Sequence, residues 1–178
     1  MATRRGDERA WIRGAQQGSV SDLEALFRHH WPRAYRAAYL VVHDSGAAED
    51  IAQEAFLAAV RRLDRFDRRR PFGPWLHRIV VNRAIDWSRA RALRREAGDA
   101  ALAHTAAPAP PDNSHAQSLA AALADLSPEH RAVIVLRHLL EYTPGEIAEL
   151  LGLPRGTVNS RLRRGLDELA TRFGEELR

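Results

Sequence analysis

The stretch TPGEIAELLGLPRGTVNSRLRR, from Thr143 to Arg164, decides how this chain is read. Thr143 followed three residues later by Glu146 forms a capping box, in which each side chain can satisfy the other's backbone N–H at a helix start. Pro144 stands at the first helical position, where a missing N–H costs nothing. Ile147, Leu150 and Leu151 give this helix an apolar stripe, and small Ala148 leaves room for a neighbour. Gly152 supplies the left-handed residue that ends it, and Pro154 fits the start of a second helix. On that second helix Val158, Leu162, Leu166 and Leu169 fall on one side. Thr157, Asn159, Ser160, Arg163 and Arg164 take the opposite arc, with Arg161 on its flank. Arg155, Arg161, Arg163 and Arg164 meet no acid before Asp167. A helix, a glycine turn and a second helix with an Arg/Asn/Ser front make the helix-turn-helix that enters a DNA major groove. There arginine can bind guanine N7 and O6 together, and asparagine can do the same with adenine. The plainer alternative is a helical hairpin with a solvated basic face. Cap, turn, stripe and arc all agree on one geometry, which weighs against it.

Upstream, Ser127-Pro128 caps and opens another helix, whose Val133, Ile134 and Leu136 would close a small core. Still further upstream, Ala97 to His115 is rich in alanine, holds Pro108, Pro110 and Pro111, and has few large apolar residues. Such a segment buries too little surface to offset its ordering entropy, so it reads as a flexible linker. From about Asp7 to Glu96 helical periodicity dominates, with no sustained alternation of the strand kind. The expected fold class is all-α: two small helical domains, 8–96 and 116–178, joined by a linker over 97–115.

Within the first module, residues 47–63 read as one helix. Ile51, Ala55, Ala59 and Leu63 form its inward stripe, widened by Phe56 and Val60. Asp50, Gln53, Glu54, Leu57 and Arg61 share a second face. That acidic, amide-bearing face around one leucine fits either solvated surface or a dock for a basic partner helix. Arg61 to Arg70 then holds six arginines against Asp64 and Asp67, and Pro71, Gly73 and Pro74 break the helix. The next helix is expected from Trp75. Its Trp75, Leu76, Ile79, Val80 and Trp87 face inward, the two tryptophans as core residues. Arg78, Asn82, Ile85 and Arg89 line another side. A basic strip carrying an amide suits single-stranded DNA, where cations track the backbone and polar groups read an extruded base.

Composition narrows the classes. The chain of 178 residues has no lysine, so its 27 basic residues are all arginine. Arginine's planar fork suits phosphate and guanine, although a GC-rich coding sequence would give the same bias. With no cysteine, disulfides and thiolate metal sites are excluded. The longest apolar run, Ala37 to Val42, is far too short to span a bilayer, and the first residues hold no secretory signal. A cytoplasmic protein without membrane insertion is expected. Nucleotide-binding, zinc-protease and serine-hydrolase motifs are missing. The eight histidines are scattered, His29-His30 reading as a surface pair. No catalytic residue, metal or cofactor is therefore expected.

Three segments resemble one family, the extracytoplasmic-function RNA polymerase sigma factors of the sigma-70 superfamily. Residues 126–169, LSPEHRAVIVLRHLLEYTPGEIAELLGLPRGTVNSRLRRGLDEL, resemble its region 4, which reads the −35 promoter element. The resemblance implies −35 contacts from Asn159, Ser160, Arg163 and Arg164, with Arg155, Thr157 and Arg161 alongside. Glu141 stands where the family usually has glycine, and Pro144 where an aromatic is common. Residues 48–67, AEDIAQEAFLAAVRRLDRFD, are similar to region 2.2, which grips the β′ clamp helices of the polymerase. Asp50, Gln53 and Glu54 match its D-x-x-Q-E pattern, with Leu57 as the apolar contact. Residues 71–95, PFGPWLHRIVVNRAIDWSRARALRR, resemble regions 2.3 and 2.4, which melt and read the −10 element. That implies −10 contacts from Arg78, Asn82 and Arg89, beside a base pocket walled by the loop Asp67 to Pro74. The resemblance further implies core RNA polymerase (β′ clamp helices and β flap), promoter DNA and an anti-sigma factor as partners. A different reading is a stand-alone helix-turn-helix regulator that binds an operator without polymerase.

Overall fold

The structure is a computed structural model that describes residues 5–96 and 121–176. The expected linker, 97–115, lies outside them. Every regular element among the described residues is helical, and those that position the site are α1 (Arg5–Gln16), α2 (Val20–Val42), α3 (Ser45–Val60), α4 (Phe72–Glu96), α5 (Pro128–Ile134), α6 (Pro144–Leu151) and α7 (Arg155–Glu176). The fold class is all-α, as expected.

Helix starts follow local chemistry. Ser19 accepts from the Asp22 N–H to cap α2, and Asp44 accepts from Ala47 N at 2.9 Å to cap α3. His43 takes the left-handed conformation between them, φ 52°, so α2 reverses into α3 across two residues. Two helix ends differ from expectation. Helix α3 stops at Val60, and Leu63 instead opens a 3₁₀ turn to Arg65. Helix α4 begins at Phe72, three residues early, because Gly73 and Pro74 fall in the first turn, where N–H groups have no intrahelical partner.

Helices α2, α3 and α4 pack on one another, with α1 laid across α2. Alanine makes this possible. Ala34, Ala37, Ala38, Ala48, Ala52, Ala55, Ala59 and Ala84 are all fully buried, so backbones approach closely while Leu26, Val41, Leu76, Val80 and Val81 fill the remaining volume. Gln16 fastens α1 by donating to the carbonyls of Leu63 and Phe66, at 2.8 and 3.0 Å. His30 is not a surface residue. It is buried, with Nε2 2.8 Å from Glu8 Oε1.

In the second module α5 and α6 both pack against α7. Val133, Ile134 and Leu136 are buried as expected, with Ile147, Leu150 and Val158. Helix α5 continues through a π-helical turn, Val135–Leu139, which Leu140 N–H closes onto Val135 O at 3.1 Å. Glu141 follows with φ 62°, the left-handed conformation that glycine would adopt without a Cβ penalty.

The two modules also pack on each other: α5 lies against α2 and α4, and α6 against α4. Sequence periodicity gave no warning of this contact.

Candidate functional site

Along α3, Asp50, Gln53 and Glu54 are exposed, and Leu57 is 53% exposed in their midst. Gln53 donates to Glu49 at 3.2 Å, and Glu54 is ion-paired with Arg83 of α4. The surface is therefore an acidic and amide ring around an apolar centre, suited to a basic helix. Exposed Val60 and Phe27 adjoin it, Phe27 standing 4.9 Å from Phe56. Phe27 begins a row that the sequence reading missed. Phe27, Trp31, Tyr35 and Tyr39 stack in succession down α2, with centroids 4.9, 6.2 and 6.4 Å apart. Their i, i+4 spacing was the available signal.

On α4, Arg78 and Arg89 are exposed and Asn82 is half-buried. Ile85 does not belong with them. It is only 7% exposed and joins the core. Leu76 and Val80 are fully buried, whereas Trp75, Ile79 and Trp87 are half-buried at the core's edge. Trp75 packs on Phe66 at 4.6 Å, and Arg91 lies 5.0 Å over the Trp87 ring. Arg91 also reaches the buried Asp44 at 3.2 Å, tying α4 to the cap of α3. In the loop before α4, Asp67 Oδ1 accepts from Arg69 N at 2.9 Å, and Arg68, Arg69 and Arg70 are exposed.

The capping box of α6 is complete. Thr143 N–H donates to Glu146 Oε2 at 2.8 Å, while Glu146 N–H donates to Thr143 Oγ1 at 3.3 Å. The Thr143 N–H, joined by the Thr143 hydroxyl donating to Glu146 Oε2 at 2.7 Å, holds the exposed Glu146 carboxyl below the usual range. Gly152 has φ 66° and turns the chain into α7. Arg155, Asn159, Arg163 and Arg164 project outward, while Thr157, Ser160 and Arg161 are half-buried. Ser160 donates its hydroxyl to Thr157 O at 2.9 Å, so that proton is already used within the helix. Val158, Leu162 and Leu169 face the core as expected, but Leu166 is 42% exposed. Gly165 takes its place. A Cβ there would stand 2.8 Å from Ile134 Cδ1, so α5 and α7 meet at a point where no side chain fits.

Two polar contacts join the modules. His77 Nδ1 lies 2.8 Å from the Tyr142 hydroxyl, and burial lowers the pKa of His77 to about 3. Arg89 places both Nε and Nη2 2.7 Å from Glu129 Oε1. Burial pushes the Glu129 carboxyl up, but the Arg89 hydrogen bond, a backbone hydrogen bond and the charges of Arg89 and Arg161 outweigh it and hold it below normal. Sequence reading gave Glu129 no role; it stands in the first turn of α5. Among the described residues no group of three or more His, Cys, Asp or Glu could hold a metal, and no helix is long and apolar enough to cross a membrane.

Residues 26–94 match the family Sigma-70 region 2, and residues 116–169 match Sigma-70 region 4. Full-length likeness accompanies those matches. The ECF RNA polymerase sigma factor SigL of Mycobacterium tuberculosis is 34% identical, over 86% of this chain and 89% of that one. The chain belongs to the extracytoplasmic-function RNA polymerase sigma factors. RNA polymerase sigma factor CarQ of Myxococcus xanthus is 33% identical, over 90% of this sigma factor and 94% of that relative. Among solved structures, CnrH in complex with the cytosolic domain of CnrY superposes with a TM-score of 0.71 at 28% identity, covering 95% and 98% of the two chains. This sigma factor is thus a transcription initiation factor whose partners are core RNA polymerase and promoter DNA. That sets aside the operator-binding regulator.

Proposed function

We propose that this sigma factor docks on the β′ clamp helices through Asp50, Gln53, Glu54 and Leu57. It inserts α7 into the −35 major groove and captures the opened −10 strand along Arg78, Asn82 and Arg89. The observation that carries this reading is the order of three chemically distinct surfaces. An acidic ring with an apolar centre lies on α3, a basic amide-bearing strip on α4, and an Arg/Asn arc on the second helix of a helix-turn-helix. Acid on α3 suits a protein partner and would repel phosphate, while the first three turns of α7 offer phosphate and base edges cations, an amide and hydroxyls and no acid. Arg163 and Arg164 supply guanidinium forks for guanine N7 and O6, and Asn159 an amide for adenine; Arg155, Thr157, Ser160 and Arg161 hold the backbone. The loop Asp67 to Pro74 borders the captured base, and RNA synthesis belongs to the polymerase.

By the same resemblance the chain divides into region 2 over 8–96, a linker over 97–115 and region 4 over 116–178. It works in the cytoplasm and docks region 4 on the β flap. The structural neighbour CnrH was captured with the cytosolic domain of another protein. We infer a protein partner for this chain too, an anti-sigma factor.

The test is co-purification with core polymerase. Asp50→Arg with Glu54→Arg reverses two charges on an exposed face that carries none of the core. It should abolish binding while leaving helix content unchanged, and loss of the exposed Glu54–Arg83 pair should lower the thermal midpoint only slightly. Undiminished co-purification would remove the α3 interface from the proposal.

A further inference from the structure

We propose that α1 braces the base-reading loop. Gln16 and the Glu8–His30 pair are positioning residues that hold Asp67 to Pro71 in its working shape before DNA arrives. This rests on the reading that sets the loop Asp67 to Pro74 beside the captured −10 base.

The loop stands on two aromatic feet. Phe66 before it and Phe72 after it meet edge to face with centroids 5.7 Å apart, and Trp75 packs on both, at 4.6 and 5.6 Å. Between the feet, Asp67, Arg68, Arg69, Arg70 and Pro71 are all exposed. Asp67 bends that tip, its side chain accepting from Arg69 N at 2.9 Å and its carbonyl from Arg70 N at 3.0 Å. Three adjacent arginines repel one another, and solvated backbone gains entropy by loosening. Such a tip keeps one shape only if both feet are fixed. Helix α1 fixes them from behind. The Gln16 amide has two N–H donors and uses both, on Leu63 O at 2.8 Å and on Phe66 O at 3.0 Å. It therefore sets where the chain leaves the 3₁₀ turn and enters the loop. At the other foot His30 packs on the Phe72 ring, centroids 5.1 Å apart, and its Cε1 lies 3.5 Å from where a Cβ on Gly73 would stand. Glu8 of α1 holds that imidazole from the far side, Oε1 2.8 Å from Nε2, with side chains 18% and 8% exposed. One helix thus controls both feet, Gln16 directly and Glu8 through His30. Burial of α1 does not require these polar contacts, because the fully buried Ile12 already anchors it. Their effect is on position. A loop that must order itself around a base gives up affinity in doing so, and a braced loop does not.

The experiment uses holoenzyme assembled from core polymerase and the full chain. Affinity is measured for single-stranded −10 oligonucleotides carrying each of the four bases, or an abasic site, at the extruded position. Hydrogen exchange over residues 66–72 is followed in parallel. Gln16→Met keeps the side chain's length and removes both donors. The advantage of the preferred base over the abasic strand should fall about tenfold, the factor matching one or two side chains ordered only on binding. Residues 66–72 should exchange faster, while abasic-strand affinity and core binding match the parent. Phe66→Leu keeps an apolar foot at a half-buried site and loses the ring contacts; it should move the same readouts the same way. A base advantage or a loop exchange rate unchanged in both variants overturns the brace. So does an equal loss on base-bearing and abasic strands, which marks general damage to the fold. Arg68→Gly, Arg69→Gly and Arg70→Gly together test the reading beneath. If that loop variant loses the base advantage while Gln16→Met and Phe66→Leu retain it, the base-reading loop stands and the brace falls. If the loop variant retains it too, or the parent shows none, both fall.

Discussion

Gly165→Ala puts one methyl group where α5 and α7 touch, and the structure sets two opposing effects. In a helix interior alanine is favoured over glycine by about 1 kcal/mol. Against this, the new Cβ would lie 2.8 Å from Ile134 Cδ1 and 3.2 Å from His130 Cβ. The first neighbour is the tip of a side chain and can swing. The second is anchored to its backbone and moves only if α5 moves. Overpacking of this kind costs about 1–3 kcal/mol. The expected net is therefore a loss of about 1 kcal/mol, or roughly 2–4 °C in thermal midpoint for a chain of this size. Ile134→Val deletes Cδ1 itself. In that background only the His130 Cβ contact remains, so the same glycine substitution should cost less, giving a coupling of about 0.5–1 kcal/mol between the sites. Urea denaturation of the four proteins, followed by helical circular dichroism, measures it. A more stable Gly165→Ala single variant, or additive effects, would refute the claim that this glycine sets the α5–α7 distance.

Two further outcomes are expected. Glu141→Gly should stabilise the fold by about 0.5–1 kcal/mol, because a left-handed L-residue costs about 1–2 kcal/mol and the added freedom of the unfolded chain offsets only part of that gain; an unchanged or lower melting temperature contradicts it. For pH, burial lowers His43 to about 4, with the Arg131 charge adding to the effect, and burial lowers His77 to about 3. Both fold as neutral rings and take up a proton near 6.5 when unfolded. Their contribution is fully present above about pH 6.5 and is lost as pH falls toward those lowered values, by up to about 1.4 kcal/mol per pH unit for each ring. Thermal midpoints should therefore decline steadily from pH 7 to pH 5, and a flat profile would show that the rings are not buried in solution.

What could be read from the sequence is what a few neighbouring residues decide. Thr143 and Glu146 sit three apart, and Gly152 needs only its own dihedrals, so turn and cap emerged in full. The arc from Arg155 to Arg164 followed from helical spacing. The stripe behind it slipped by one residue, since an apolar pattern registers leucine at 166 and cannot register a glycine whose contribution is having no side chain. Ile85 was misplaced for a different reason. Spacing put it beside Arg78 and Asn82, and only tertiary packing removes it from solvent. The same holds for Glu129 and Arg89, forty residues apart in sequence and bonded in space. Glu141 shows an intermediate case. The departure from a usual glycine was visible, but its cost required the positive φ.

The two hydrogen bonds from Gln16 bear on where this molecule may be cut. The region 2 match starts at residue 26, yet a fragment begun there would lose the amide that satisfies the Leu63 and Phe66 carbonyls and the fully buried Ile12. It would also lose Glu8 and leave His30 without its carboxylate. The stretch leading into α4 would be left unmoored at its entrance. The smallest trustworthy piece for expression therefore extends well ahead of the part that sequence kinship marks out.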